Sequence, residues 1–190
     1  MSPVRPLSIP VILGTLRHGR MSAHVANFIL SELRNYPEVE TQLIDIASLG
    51  ISVNDAGEEV RDAQFSETCN RADAFVLVVP EYNHGYPGML KHVLDTNLKE
   101  YIHKAVGIVG VSTGPFGGTR VVENLLPVMR EMGLVTIFWD VNFLHVRKAF
   151  DDSGNMVDQS YPRRTQRFLN ELIWMGSVLR HGRENITIPA

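Results

Sequence analysis

Short apolar runs alternate along the chain with segments in which apolar residues recur every three or four positions. The runs predict buried strands, and the segments predict amphipathic helices. Strands are predicted over residues 9–13, 39–46, 74–79, 104–111 and 134–138, with an extension of the last one to about 146 left open. Helices are predicted over about residues 22–35, 61–71, 86–100, 119–132 and 162–182.

This strict alternation is typical of a parallel sheet with helices on both faces. Five strands fit a flavodoxin-like sheet of order 2-1-3-4-5 better than a six-stranded Rossmann sheet. At 190 residues the chain has the length of one domain. We therefore predict a three-layer α/β fold in which residues 1–190 form a single flavodoxin-like domain.

Local features refine these elements. Pro10 cannot donate to a sheet ladder, so we expect it at the first residue of its strand. Leu90, Leu94 and Leu98 recur at helical spacing and are predicted to form one buried stripe. Pro127 lies inside the fourth predicted helix and should kink it. Residues 47–59 are rich in turn formers and are predicted to form a loop.

Composition and charge exclude several classes of protein. Apolar residues make up 44% of the chain and charged residues 21%, which excludes a disordered chain. The net charge of −3 is too balanced for a dedicated nucleic-acid binder. The single cysteine cannot form an internal disulfide, and no apolar run is long enough to span a membrane. We expect a soluble, cytoplasmic protein without nucleic-acid or membrane partners.

Candidate ligand-binding residues follow the first, third and fourth strands, whose carboxyl ends meet at one edge of such a sheet. Residues 14–22, the first loop, combine two glycines with Thr15, Arg17, Arg20 and Ser22 at the start of a helix. Orphan N–H groups and the helix dipole favour an anion there. The alternative is a solvated turn in which Ser22 is the N-cap. The spacing of Gly14 and Gly19 resembles the opening of a P-loop, but Arg20 and Met21 stand where that motif needs Lys and Ser or Thr. The dinucleotide motif does not fit, because Leu16 and Gly19 depart from its Gly-x-Gly-x-x-Gly spacing.

Two further loops reach the same edge. Residues 80–88, the second loop, read Pro-Glu-Tyr-Asn-His-Gly-Tyr-Pro-Gly and offer amide and aromatic groups on a stiff backbone. Residues 112–120, the third loop, read Ser-Thr-Gly-Pro-Phe-Gly-Gly-Thr-Arg and can expose backbone N–H groups to a planar ligand. Each loop alone is also compatible with a plain strand–helix connection. Together they indicate a binding site.

These three motifs resemble the NADPH-dependent FMN reductase family, which includes azoreductase-like and quinone-reductase-like enzymes. The likeness continues through Leu90-Lys91, Asp95 and the Leu-Leu-Pro-Val stretch at 125–128, and it covers about residues 9–146. Many members carry Ser where this chain has Arg20, and others carry the Gly-Arg pair found here. The resemblance implies a flavodoxin-like fold, in agreement with the pattern, and a non-covalently bound FMN.

The resemblance also implies the residues of the flavin site. One set would hold the FMN phosphate: Thr15, Arg17, Arg20 and Ser22. A second set would lie along the isoalloxazine ring: Pro80, Glu81, Tyr82 and Asn83. A third set would meet the other edge of the ring: Ser112, Thr113, Gly114, Gly117 and Gly118. No catalytic acid or base and no metal ligand is predicted.

The implied function is an FMN-dependent NAD(P)H oxidoreductase. NADPH or NADH would reduce the flavin, and a quinone, an azo compound, free flavin or a similar small acceptor would take the electrons in a ping-pong cycle. The resemblance implies a homodimer or homotetramer. The alternative is a non-enzymatic electron carrier of the flavodoxin type, although such carriers are typically strongly acidic. A relative that has lost its flavin is a third hypothesis, which the intact second and third loops disfavour.

Other chemistry-bearing residues have simpler interpretations. The seven histidines are scattered and lack metal-ligand spacing, so we expect surface or loop histidines, with His84 in the second loop as the exception. Cys69 has no visible activator and is predicted to be a plain thiol. The C-terminal helix is more apolar than one buried stripe requires, and Trp174 lies in this excess. Packing on its own sheet and contact with another subunit both remain open.

Overall fold

The computed structural model describes residues 5–53 and 60–187. The turn formers in the second half of the predicted loop at 47–59 lie outside these ranges. The described residues form eight strand segments: β1 (Leu7–Ser8), β2 (Val11–Leu13), β3 (Val39–Glu40), β4 (Leu43–Asp45), β5 (Ala74–Pro80), β6 (Ala105–Val111), β7 (Val135–Thr136) and β8 (Val141–Phe143). They also form five α-helices: α1 (Ser22–Leu33), α2 (Ala63–Arg71), α3 (Gly88–Asp95), α4 (Thr119–Glu131) and α5 (Ser160–Asn185).

All strand pairs are parallel, and the segments occupy five positions in the sheet. The order is β4-β2-β5-β6-β7, β8 also lies beside β6, and β1 pairs with β3. β1 and β2 belong to one strand position that is interrupted at Pro10, which has no N–H. The ladder continues across this interruption, because Ile9 N donates to Glu40 O at 2.9 Å and Val11 N donates to Gln42 O at 2.9 Å. The predicted flavodoxin-like order 2-1-3-4-5 is confirmed.

Two apolar layers cover the sheet. α1 and α5 pack on one face, against side chains such as Val76 and Val78. α2, α3 and α4 pack on the other face, where Phe75 and Leu77 lie. Successive residues of β5 therefore point to opposite faces, and both faces are buried. This arrangement confirms the predicted three layers.

The third helix is shorter than predicted. α3 ends at Asp95, and Leu98 is 53% exposed, so the expected buried stripe holds for Leu90 and Leu94 but is wrong for Leu98. The Thr96 hydroxyl donates to the Val93 carbonyl at 2.8 Å as the chain leaves the helix. Tyr101 takes the core position instead, fully buried with its ring 5.6 Å from that of Phe75.

The fifth strand is interrupted rather than continuous over 134–138. β7 and β8 both pair with β6, Ile137 N still donates to Val106 O at 3.1 Å, and the chain leaves the ladder at Phe138. Phe138 N donates to the Glu171 carboxylate of α5 at 3.1 Å, and the Phe138 side chain is 79% exposed. The guanidinium of Arg167 lies 3.4 Å from the ring centroid of the neighbouring Trp139. Contacts with α5 thus replace sheet hydrogen bonds at this edge.

A buried carboxylate organises the amino edge of the sheet. Asp73, which precedes β5, is fully buried and accepts hydrogen bonds from Arg5 at 2.7 Å and Arg183 at 2.9 Å. Arg180 lies 3.7 Å away, and the backbone N–H of Ser8 donates at 3.1 Å. A buried charge of this kind is tolerated only when it is paired. The cluster fastens the N-terminal segment and the end of α5 to the sheet.

The close packing of α5 on β6 yields a stability prediction. A Cβ on Gly107 of β6 would lie 2.4 Å from the Phe168 ring of α5. We expect Gly107→Ala to lower the free energy of unfolding by about 1–3 kcal/mol through overpacking. Gly182→Ala is the control, because nothing lies within 4 Å of its Cβ, and helix propensity should make it neutral or stabilising by about 0.5 kcal/mol. Urea unfolding measures both, and equal stabilities would contradict the packing of these elements.

The buried environment of Cys69 yields a reactivity prediction. Cys69 lies on α2 with no exposed surface, and burial raises its pKa to about 12. At pH 8 its thiolate fraction is then about 10⁻⁴, compared with about a quarter for an unperturbed thiol. We expect the folded chain to react with a thiol-specific disulfide reagent at least about a thousandfold more slowly than the urea-unfolded chain. Comparable rates in the two states would show that Cys69 is accessible.

Candidate functional site

A cavity of about 430 Å³ opens at the carboxyl edge of the sheet. Its walls come from the first, second and third loops, from the end of β6 and from the segment after β8. The lining residues are Arg17, His18, Gly19, Arg20, Met21, Ser22, Pro80, Glu81, Tyr82, Val111, Ser112, Thr113, Val146 and Arg147. The volume is in the usual range for small-molecule sites.

Backbone hydrogen bonds carry the ladder into the loops and hold them together. Gly14 N donates to Val78 O at 2.9 Å, and Glu81 N donates to Val111 O at 2.9 Å. Ser112 N donates to Phe143 O at 3.1 Å. The position at which each loop leaves the sheet is therefore set by its neighbouring strand.

Two side chains of the first loop are used for internal contacts. The buried Thr15 has its Oγ1 2.9 Å from the Tyr82 hydroxyl, which joins the first loop to the second. Arg20 donates from Nη1 to the Thr15 carbonyl at 2.7 Å and pairs through Nη2 with the Asp45 carboxylate. Arg20 therefore lines the cavity while its charge is compensated. Arg17 is exposed, with its guanidinium 6.0 Å from the Tyr82 ring centroid.

The start of α1 leaves an unsatisfied hydroxyl in the cavity wall. Met21 occupies the N-cap position without a side-chain hydrogen bond, so the alternative that made Ser22 the N-cap is wrong. Ser22 is the first residue of the helix, and its buried Oγ has no hydrogen-bond partner within residues 5–53 and 60–187. A buried hydroxyl at a helix N-terminus is suited to an anionic oxygen. Its orphan state fits a phosphate group.

The second loop turns away from the cavity after Tyr82. Tyr82 N donates to Gly85 O at 2.9 Å, and Gly85 N donates to Tyr82 O at 3.0 Å. Asn83 and His84 form the left-handed two-residue turn between them, with φ of 49° and 67°. Both side chains are exposed and neither lines the cavity. Pro80, Glu81 and Tyr82 are the members of this loop that do.

Glu81 links the second loop to α4 and keeps one oxygen free. Its Oε1 lies 3.3 Å from Nη1 of Arg120, and its buried Oε2 has no hydrogen-bond partner in the part of the chain that the structure describes. The Arg120 guanidinium also lies 4.4 Å from the Phe116 ring centroid in the third loop. This contact fixes the second and third loops relative to each other. The free Oε2 can accept a hydrogen bond from a ligand N–H group.

Glycines shape the third loop, and its hydroxyl residues face the cavity. Ser112 and Thr113 line the cavity, whereas Gly114, Gly117 and Gly118 do not. Gly118, at φ 86°, precedes α4, and a Cβ there would lie 2.6 Å from Val111 N. Only glycine allows the chain to pass this close to the end of β6 with that backbone conformation.

Sequence reasoning missed the segment after the fifth strand. Val146 and Arg147 line the cavity from a short 3-10 turn that follows β8. Val146 N donates to Ser112 O at 3.0 Å, which places the turn beside the third loop. The signal was present in the basic residues Arg147 and Lys148 directly after a predicted strand. The site predicted from the sequence contains only the loops after the first, third and fourth strands.

Other candidate chemistry is absent or remote from the cavity. Within residues 5–53 and 60–187, no group of three or more His, Cys, Asp or Glu side chains could hold a metal ion. His84 contributes its carbonyl to Asn124, which donates at 2.6 Å. Over the same ranges, none of the helices combines the length and apolar character needed to cross a membrane.

The donor set at the cavity fits the FMN that the sequence motifs imply. An orphan hydroxyl and exposed arginines surround the start of α1, where a phosphate ester would be stabilised. Beyond them lie a tyrosine ring, a free carboxylate oxygen and the hydroxyl residues of the third loop, which suit a flat heterocycle with polar edges. The cavity therefore has an anionic end and a heterocyclic end.

Comparison with known proteins agrees with this chemistry. The family model described as NADPH-dependent FMN reductase matches residues 7–145, nearly the span of the sequence resemblance. A 2-hydroxy-1,4-benzoquinone reductase of Burkholderia sp is 24% identical over 173 residues, covering 87% of this chain and 93% of that protein. A quinone reductase of Pseudomonas putida is 28% identical over 171 residues, covering 82% and 87%.

Solved structures support the fold. The flavoenzyme FerB, an NAD(P)H:(acceptor) oxidoreductase from Paracoccus denitrificans, superposes with a TM-score of 0.73 at 20% identity. The match covers 90% of this chain and 98% of FerB. An archaeal flavodoxin superposes with a TM-score of 0.55 at 14% identity, covering 92% of this chain. The chain belongs to the NADPH-dependent FMN reductase family.

Proposed function

We propose that this FMN-dependent NAD(P)H oxidoreductase reduces quinones, azo compounds or similar small acceptors at the cavity between the three loops. The orphaned Ser22 hydroxyl at the start of α1 is the single observation that carries the placement. This hydroxyl supports a phosphate position at the start of α1, and the loops at the strand ends support a position for the ring of the ligand beside them. Quinone and azo acceptors are proposed because relatives carry those activities in their names.

The predicted site residues divide into those that contact the flavin and those that hold the loops. For the phosphate end we propose Ser22 and Arg17 as direct contacts, with Thr15 and Arg20 holding the first loop in place. The proposed ring contacts from the second and third loops are Pro80, Glu81, Tyr82, Ser112 and Thr113. The three glycines of the third loop and Asn83 shape the backbone beside the ring.

Bound FMN would supply the redox chemistry, accepting a hydride from NAD(P)H and passing electrons to the acceptor in a second half-reaction. The chain supplies position and electrostatics. The Tyr82 ring forms one wall of the cavity. The contact between its hydroxyl and Thr15 holds that wall against the first loop. The Oε2 of Glu81 would accept a hydrogen bond from the heterocycle and so orient it. No side chain is assigned a proton-transfer role.

The charge of the chain disfavours the alternative function, a flavodoxin-type electron carrier. Carriers dock on basic partners and are typically strongly acidic. This chain has a net charge of only −3, and exposed arginines lie at the mouth of its cavity. That distribution suits an anionic small molecule such as a nicotinamide dinucleotide. The two functions differ in whether a reduced nicotinamide can reach the flavin.

Anaerobic mixing with NADPH tests the proposed function. We expect the FMN-loaded chain to lose its visible flavin absorption within seconds of adding NADPH or NADH, and to regain it when benzoquinone is added. FMN and NADPH without the protein are the control for uncatalysed reduction. A chain that binds FMN but is reduced by neither nucleotide would be a carrier, and a chain that binds no FMN would contradict both functions.

We also propose that the chain forms a homo-oligomer through an apolar patch that we call the α4–α5 patch, defined by Leu126, Phe138, Trp174 and Val178. All four side chains are exposed, Phe138 at 79% and Trp174 at 61%. Trp174 and Val178 lie one turn apart on α5, and Leu126 and Phe138 line a groove together with Glu171 and Met175 of the same helix. Two copies would cover these large side chains, which a lone chain leaves in water.

Sedimentation of a Trp174→Glu variant tests the α4–α5 patch. We expect the wild-type chain to sediment as a dimer or tetramer, and Trp174→Glu to shift toward the 21.3 kDa monomer because a charge would be buried at the contact. Val157→Glu is the matched control, since Val157 is also exposed but lies outside the patch. A monomeric wild type, or a Trp174→Glu variant with unchanged mass, would contradict the proposal.

A further inference from the structure

We infer that Arg147 binds the phosphate of the cofactor directly and that Arg20 is a positioning residue for the first loop. The inference rests on the proposed function, because it concerns the phosphate end of the same cavity. Arg20 belongs to the first-loop motif and Arg147 does not. The contacts within the chain nevertheless favour Arg147 as the residue that binds the phosphate.

Both ends of the Arg20 guanidinium are already occupied. Nη2 pairs with the Asp45 carboxylate at the end of β4, and Nη1 donates to the Thr15 carbonyl at 2.7 Å. The Arg20 side chain is only 15% exposed. Moving Arg20 onto a phosphate would leave the Asp45 carboxylate without its partner and release the backbone of Thr15. Its contacts therefore hold the first loop in shape and leave little charge for a ligand.

Arg147 is in the opposite situation. It lines the cavity from the turn beside the third loop and is exposed. Within the described ranges, its guanidinium makes no hydrogen bond or ion pair. Glu81, the acidic residue that lines the cavity, is paired with Arg120, and Asp45 is paired with Arg20. An unpaired arginine beside a ligand cavity, in a chain of net charge −3, is available for an anion.

The backbone around Arg147 is fixed to the third loop. His145 has a left-handed conformation with φ of 43°, and its N–H donates to the Gly114 carbonyl at 3.0 Å. Val146 N donates to Ser112 O at 3.0 Å, and Lys148 N closes the turn on His145 O at 2.7 Å. The turn is therefore held on both sides of Arg147. The backbone at Arg147 therefore needs no further ordering when a ligand binds, and the entropy cost of binding falls on the side chain alone.

The orphan hydroxyl of Ser22 supplies the second observation. Ser22 is 2% exposed, its Oγ has no partner, and it lines the same cavity as Arg147. A phosphate monoester carries a charge of about −1.5 to −2 at pH 7, and the dianion exceeds what one arginine and a helix dipole compensate. Arg17 and Arg147 line the same cavity and together would balance it. Guanidinium groups suit this task because they can bind phosphate oxygens in pairs.

Binding of FMN and of riboflavin, which lacks the phosphate, tests the inference. On the flavin-free full chain we expect Arg147→Ala to weaken FMN binding by about 10–100-fold and to change riboflavin binding less than about threefold. Lys148→Ala is the matched control, since this neighbouring basic residue does not line the cavity. Fluorescence titration measures all of these affinities.

Arg20 should behave differently in the same assay. Arg20→Ala should weaken FMN and riboflavin to a similar extent, because the loop that contacts both ligands loses its support. Arg20→Lys should restore part of the affinity for both flavins, since one ammonium group can still contact Asp45 or the Thr15 carbonyl. A loss confined to FMN in Arg20→Ala would instead make Arg20 the phosphate ligand and overturn its assignment.

Other outcomes separate this inference from the function on which it rests. If the wild-type chain binds FMN and Arg147→Ala binds it equally well, the inference fails and the proposed function stands. Equal losses for FMN and riboflavin in Arg147→Ala, or a matching loss in Lys148→Ala, would also overturn it. A wild-type chain that binds neither flavin would remove both the function and the inference.

Discussion

The site depends on the parallel hydrogen-bond ladder continuing past the ends of the strands. Because β2, β5 and β6 run in one direction, the residues that follow them must emerge at one edge of the sheet. The ladder then extends by one residue into each loop, as Glu81 N and Ser112 N show with their neighbours. A one-residue slip of β5 against β6 would move the Glu81 carboxylate away from Arg120. The loop conformations are thus secondary to the register of a fully buried sheet.

The opposite edge of the sheet serves stability rather than binding. Asp73 and the arginines around it connect the N-terminal segment, β5 and the last turns of α5. Two arginines at the cavity differ from these, because Arg17 and Arg147 have no acidic partner within residues 5–53 and 60–187. The carboxyl edge therefore combines paired arginines, Arg20 with Asp45 and Arg120 with Glu81, with two arginines that could bind an anion. This division separates the residues that hold the fold from those that bind.

The sequence predicts the parts of the structure that follow from local periodicity. The fully apolar β5 and the helices around it were predictable because burial on both faces leaves no polar position in the pattern. Leu98 was placed wrongly because helical spacing alone does not reveal that the chain turns at Thr96 and that Tyr101 takes the core position. The interruption of the fifth strand depends on Glu171, which is distant in the chain and joins Phe138 only in the folded state.

The same limit explains the two arginines of the site. A motif containing Arg20 resembles a phosphate loop, but the partner that occupies Arg20 is Asp45, 25 residues later and on another strand. Arg147 stands outside every motif, yet the crossing from β8 back toward α1 brings it to the same cavity as Ser22. Residue types near a helix start therefore predict that an anion binds, while the choice of which arginine binds it depends on pairings that form only in the folded chain. An unpaired arginine that lines the cavity, such as Arg147, is therefore a better candidate for the phosphate ligand than a paired arginine that matches the motif, such as Arg20.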